Sequence, residues 1–167
     1  GTDTISTTGT MDLSGNFVTI SNEAEDMIHN GDLTTDDNVI IDLSDDFTGT
    51  GSITLTGGTA DLSITATDTI IHSGNFNADV ITLNGGTVLN NGNLTTSGNL
   101  SLTSGSEINI QGVGLVAGST LINGTTLTMG ANINSTGAIT VQTSFISGLN
   151  LTSSSSLIIE PLSGASD

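Results

Sequence analysis

A chain of 167 residues with 17 acidic side chains and no lysine, arginine or cysteine can form neither a conventional salt bridge nor a disulfide. Its formal charge of −17 repels phosphate backbones and anionic lipid headgroups, which sets aside nucleic-acid partners and membrane surfaces. No apolar run approaches the roughly 18 residues that insert across a bilayer, no signal-peptide pattern is present, and 34% hydrophobic content suffices for one packed domain.

Gly, Ser, Thr and Asn supply 88 residues. Such a bias often accompanies disorder, but here Ile, Leu and Val interrupt it at regular intervals, which argues for a packed interior. Residues 1–20 show Thr-rich alternation leading to Gly15-Asn16-Phe17. Residues 21–29 depart from this style. Asn22 with Glu25 three places on forms a capping-box pattern, which predicts a single helical turn at an edge or corner. The phrase Ile28-His29-Asn30-Gly31-Asp32-Leu33 returns 43 residues later as Ile71-His72-Ser73-Gly74-Asn75-Phe76, a separation that fits two turns of a repeat near 20 residues. Between them, residues 36–46 are acidic.

From Ile64 to Leu100 large apolar residues occupy a six-residue grid (Ile64, Ile70, Phe76, Val88, Leu94, Leu100) whose only polar member is Thr82. A helix at 3.6 residues per turn would smear such a stripe around its whole circumference. Short strands joined by corners keep it on one side. The pattern therefore predicts an all-β chain, a parallel β-solenoid of about eight rungs and about 40 Å, in which inward apolar residues anchor strands and Gly or Asn turns corners at positive φ. Residues 106–113 break the grid and predict a corner of different length. Beyond them Leu115, Leu121, Leu127, Ile133, Ile139, Phe145, Leu151 and Leu157 recur at intervals of six. Ser153 to Ser156, Pro161 and residues 163–167 read as a fading end or a join, since Pro161 lacks the N–H that a neighbouring rung would need. Residues 1–167 form a single solenoid domain on this account, a fragment or repeating subunit of a longer surface structure. A beginning at Gly1 suits a processed or excised chain.

The run Val88-Leu89-Asn90-Asn91-Gly92-Asn93-Leu94-Thr95-Thr96-Ser97-Gly98-Asn99-Leu100-Ser101-Leu102-Thr103-Ser104-Gly105 resembles repeats of filamentous-haemagglutinin-like exoproteins and related autotransporter passengers. That resemblance implies a right-handed β-helix exported to a bacterial cell surface, serving as an adhesin or its shaft. Such repeats carry sparse Lys and Arg, and this chain carries none. The hexads after Leu115 also resemble left-handed hexapeptide helices, with small residues four places on at Thr125, Ala131, Gly137, Thr143 and Ser155.

Residues able to carry chemistry are few. His29 and His72 hold equivalent places before a corner, which suits a structural role better than catalysis. No Gly-x-Ser-x-Gly elbow, dinucleotide fingerprint or phosphate loop occurs. A polysaccharide-degrading solenoid would use paired acids such as Asp42 with Asp45 or Asp61 with Asp68, yet the chain has no Trp or Tyr to platform a sugar. No enzyme is expected, and no cofactor is required. Asp36, Asp37, Asp42, Asp45 and Asp46 are the candidate ligands for Ca²⁺, which prefers several converging oxygens. A solvated acidic surface is the plainer alternative. Thr48/Thr50, Thr54/Thr56, Thr65/Thr67 and Thr126/Thr128 raise an ice-binding array, although their starts do not recur at one rung length, and Asn93, Asn99, Asn123, Asn134 and Asn150 open glycosylation sequons. Solenoid ends need polar caps, and no convincing cap pattern stands at either end. The expected partners are therefore a further copy stacked end to end or the continuation of a longer chain, together with a surface glycan.

Overall fold

The computed structural model describes residues 4–20, 25–112, 115–148 and 150–162, with Leu115 described in its backbone only, and among these it contains strands and no helix. The strands form one 14-stranded and one 8-stranded sheet. Every pairing is parallel, the arrangement that a chain winding repeatedly about one axis produces. The 8-stranded sheet, running from Thr10–Asp12 to Leu151–Ser153, is one side of the coil and is called face A.

The larger sheet bends into two sides, because the long strands Leu62–His72 and Ile81–Asn90 pass around a corner and pair on both. Face B runs from Val18–Ile20 to Leu157–Glu160, and face C from Thr4–Thr7 to Phe145–Ser147. Each rung follows the order C, A, B, and the eight rungs begin at residues 4, 26, 47, 69, 87, 107, 126 and 145. Rung length varies from 18 residues, Phe76 to Leu94, up to 23, Ile53 to Phe76. Corners absorb the variation while the strands keep register.

Alternation decides which side chains enter. In Val39–Leu43 the residues Val39, Ile41 and Leu43 are buried while Ile40 and Asp42 face outward. Stacked in register, the inward residues make continuous columns such as Met27, Phe47, Ile70, Val88, Ile108 and Leu127. A side chain of this size contributes about 1.5–3 kcal/mol when removed from water. No rung can bury its own, so stability comes from the stack.

Several expectations are corrected here. His29 closes the strand Asp26–His29, where Met27 and His29 point inward, so no helical turn forms over residues 26–29, while residues 21–24 lie outside the described part. Glu107–Ile110 is an in-register strand with Ile108 and Ile110 inside, not a corner of different length. The hexad holds only where strand and corner lengths sum to six. Leu121 and Phe145 therefore lie exposed on the outside, next to Ile122 and Ile146 within, and Thr82 faces out between buried Ile81 and Leu83.

Corner glycines also differ from expectation. Among described residues only Gly9, Gly15 and Gly148 have positive φ. Gly31, Gly51, Gly74 and Gly92 instead form a column at the corner between faces C and A, where a Cβ on each would penetrate the carbonyl oxygen of the glycine one rung before it. Close stacking, not a left-handed turn, demands glycine there.

Candidate functional site

The densest group of chemically competent side chains is at the corner between faces B and C. Asp26 opens the second rung there, and one turn later Asp45 and Asp46 close it, so one carboxylate oxygen from each lies within 4.8 Å of the others. Backbone bonds across rungs fix this geometry. Asp45 N–H donates to the Glu25 carbonyl at 2.9 Å, and Asp68 N–H donates to the Asp45 carbonyl at 3.2 Å. The side chains serve the same ladder, since Asp26 Oδ1 accepts Asp46 N–H at 3.3 Å and Asp46 Oδ1 accepts Thr69 N–H at 2.9 Å.

Electrostatically the corner is strained. Partial desolvation, then the neighbouring charges of Asp46, Asp26 and Asp68, raise the pKa of the Asp45 carboxyl. No lysine or arginine exists to relieve it, and both histidines are buried in the interior. Three such carboxylates can share a proton or supply oxygens to a hard divalent cation. At the other extreme, Asp12 accepts hydrogen bonds from the Ser14 hydroxyl and N–H, which lower its pKa.

The five candidate calcium ligands are thus not one cluster. Asp45 and Asp46 meet, and Asp26 joins them. Asp36 and Asp37 occupy the corner between faces A and B, where Asp36 Oδ1 accepts Gly15 N–H and Asp37 Oδ1 accepts Asn38 N–H at 2.8 Å. Asp42 stands on the outside of face B, in register with Thr65. Asp26 was missed as a ligand because its neighbourhood with Asp46 depends on a rung of 20 residues. That separation is visible in the sequence only once the rung length is known.

Of the acid pairs weighed for glycoside cleavage, Asp42 is on face B and Asp45 at the next corner, while Asp61 and Asp68 flank the two ends of the face-B segment of Leu62–His72. Both histidines are buried in a single inward column, with Gly49 between them in register. The Thr pairs scatter over all three faces, Thr54 on A, Thr65 on B, and Thr48, Thr126 and Thr128 on C. They build no single array.

Face B presents a different surface. From rung 3 to rung 7 its outward positions are Ser63 and Thr65, Thr82 and Asn84, Ser101 and Thr103, Leu121 and Asn123, then Thr140 and Gln142. Asp42 and Glu160 bracket this uncharged stretch. A shallow depression between Leu100 and Leu121, edged by Asn99, Ser119 and Thr140, lies within it. No helix among the described residues is long and apolar enough to cross a membrane. No protein-family model, curated protein or solved structure matches the chain.

Proposed function

We propose that the chain is an extracellular structural β-solenoid, the shaft of a bacterial surface adhesin or a subunit of a surface filament. The observation that supports this best is the continuous, mainly apolar interior, buried from Met27 to Val141, with backbone hydrogen bonds running from each parallel rung to the next. Such a column resists bending and proteolysis through repetition alone and needs no reactive centre. The last described rung favours end-to-end continuation, with a further copy or with more of the same chain. Its inward Leu157 and Ile159 are 47% and 45% exposed, in the same columns that bury Ile139 and Val141 one rung earlier.

Electron microscopy of the purified chain in millimolar Ca²⁺ tests this reading. Rods lengthening in steps of about 40 Å, the height of eight rungs, are expected. Release of oligosaccharides from acidic polysaccharides would overturn it in favour of an enzyme.

The uncharged outside of face B favours a second reading, attachment to a neutral glycan. Paired hydroxyls and amides on successive rungs offer hydrogen bonds to sugar hydroxyls without the repulsion that acidic glycans would meet elsewhere on this surface. Binding on a glycan array that favours neutral over sulfated or uronic-acid chains is the expected outcome. Equal retention of all three classes would contradict it.

A further inference from the structure

His72 is a titratable group sealed inside the apolar column. It is fully buried, and its ring stacks on Phe76 with centroids 3.6 Å apart and planes 15° apart. Its in-plane contacts fix its chemistry. Nε2 lies 2.8 Å from the Gly51 carbonyl oxygen, and since a carbonyl only accepts, Nε2 must carry a proton. In the neutral ring Nδ1 is then a bare lone pair, and it has no hydrogen-bond partner among the described residues.

Directly over His72 in the next rung stands Asn90. Its amide donates to the Gly92 and Gly112 carbonyls at 2.6 and 2.8 Å, so both hydrogens are used and the orientation of the group is set. Asn90 Oδ1 is buried and likewise has no partner among the described residues. Moving the proton from Nε2 to Nδ1 would set the Nε2 lone pair against the Gly51 carbonyl. A second proton on Nδ1 would enter the column with no hydrogen-bond acceptor in place to receive it.

We propose that His72, held between Gly51 and Asn90, is an acid sensor at the joint between the first four rungs and the last four, and that acidification weakens the solenoid by forcing a cation into its apolar column. Burial is the dominant influence and lowers the pKa of the ring to about 4, with the Gly51 carbonyl and the nearby Asn90 side chain only partly opposing it. The titratable group facing it across the column is His29, beyond Phe47, whose ring centroid is 6.4 Å from His29 and 6.3 Å from His72. A charge on His29 also disfavours the His72 cation. Asp32 acts on His29 from the outside, and no described carboxylate is buried in the column. The unfolded chain takes the proton near pH 6.5 and the native one only near 4. Stability is therefore complete above 6.5, falls as pH drops, and stops falling below about 4.

The test is urea unfolding of the whole chain from pH 7.5 to 4 beside His72→Asn, paired with ¹⁵N titration of the imidazoles. Asparagine is what the next rung places in this column, so the variant has a precedent in the fold. Relative to His72→Asn, the unfolding constant of the native chain is expected to rise roughly tenfold per pH unit below 6.5, about a hundredfold by pH 4.5. The His72 ring is expected to show the Nε2–H tautomer at neutral pH and a midpoint near 4. Parallel pH profiles for the two proteins would overturn the proposal. If the variant does not fold, the native titration decides alone: a midpoint near 4 upholds the sensor and one at 6.5 or above removes it.

Discussion

Rungs 1–4 and rungs 5–8 share one backbone plan and differ in charge. Fourteen of the 17 acidic residues precede Val80, and only Glu107 falls between Val80 and Ile159. Both halves nevertheless solve the same corner problem, giving a backbone N–H of the next rung an acceptor. In the first half carboxylates do it: Asp32 Oδ1 accepts Ser52 N–H at 3.1 Å and Asp61 Oδ1 accepts Val80 N–H at 3.2 Å. Amides do the same in both halves: Asn38 Oδ1 accepts Asp61 N–H at 2.8 Å and Asn75 Oδ1 accepts Asn93 N–H at 3.3 Å in the first, and Asn99 Oδ1 accepts Ser119 N–H at 2.9 Å in the second. An acceptor is what the corner requires, and an amide supplies it without charge. The acidity of the first half is thus surplus to folding.

The interiors differ as well. Phe47, Phe76 and the two histidines form a ring cluster within the first half, whereas the column beyond Asn90 is aliphatic. The largest expected effect follows from that contrast. Phe76→Ala should lose about 3–5 kcal/mol and Leu127→Ala about 2–5 kcal/mol by urea unfolding at pH 7. Only Phe76→Ala should also flatten the dependence on pH, because water then reaches the His72 ring. Equal pH profiles for the two variants would erase the distinction between the halves.

Thr120 tests the second half from within. Its buried hydroxyl has no partner among the described residues, and it stands in a column between Leu100 and Ile139. Thr120→Val keeps the β-branched shape and should add about 1 kcal/mol in the same assay. A loss would mean that the hydroxyl is bonded.

Charge relief comes next in size. Asp26→Asn with Asp46→Asn preserves both corner acceptors while removing two charges beside Asp45. The melting temperature should rise by about 2 °C at low ionic strength, and the gain should vanish in roughly 1 M salt, where screening acts within about 3 Å. A loss of stability would show that the carboxylates do more than accept N–H groups. Loss of a Ca²⁺-induced melting shift in the same variant, with the shift retained in the parent, would assign these residues a cation.

The smallest effect falls on the outward member of an adjacent pair. Leu121→Thr on the outside of face B should change stability by less than about 0.5 kcal/mol, while Ile122→Thr should cost about 2 kcal/mol or more.

That last pair marks where the sequence was legible and where it was not. The repeated Gly-Asn-apolar phrase correctly announced rungs, since Gly92 stacks on Gly74 and Leu94 pairs with Phe76 in register. The same phrase at Gly98-Asn99-Leu100 belongs to a different corner, the one leading into face B. An interval of six mixes strand alternation with corner length, so it assigned Leu121 and Phe145 to the interior although alternation within their strands puts Ile122 and Ile146 there. Acidic clustering was visible along the chain, but the Asp26, Asp45 and Asp46 group is a neighbourhood across rungs and appears only when rung lengths are known. The equivalent placement of the two histidines was legible, and both stand in one buried inward column. The two unmatched acceptors at His72 and Asn90 depend on side-chain direction, which spacing does not encode.

The winding about one axis can be measured directly. Outward face-A positions stack in register from Thr34 through Thr54, Asn77 and Thr95 to Asn134 and Thr152, and the chain has no native cysteine to confuse labelling. Spin labels at Thr34→Cys with Thr152→Cys, six rungs apart, should report a narrow distance near 29 Å, and Thr54→Cys with Thr152→Cys one near 24 Å, a decrement of about 4.8 Å per rung. Distances that do not scale with rung number would contradict the solenoid.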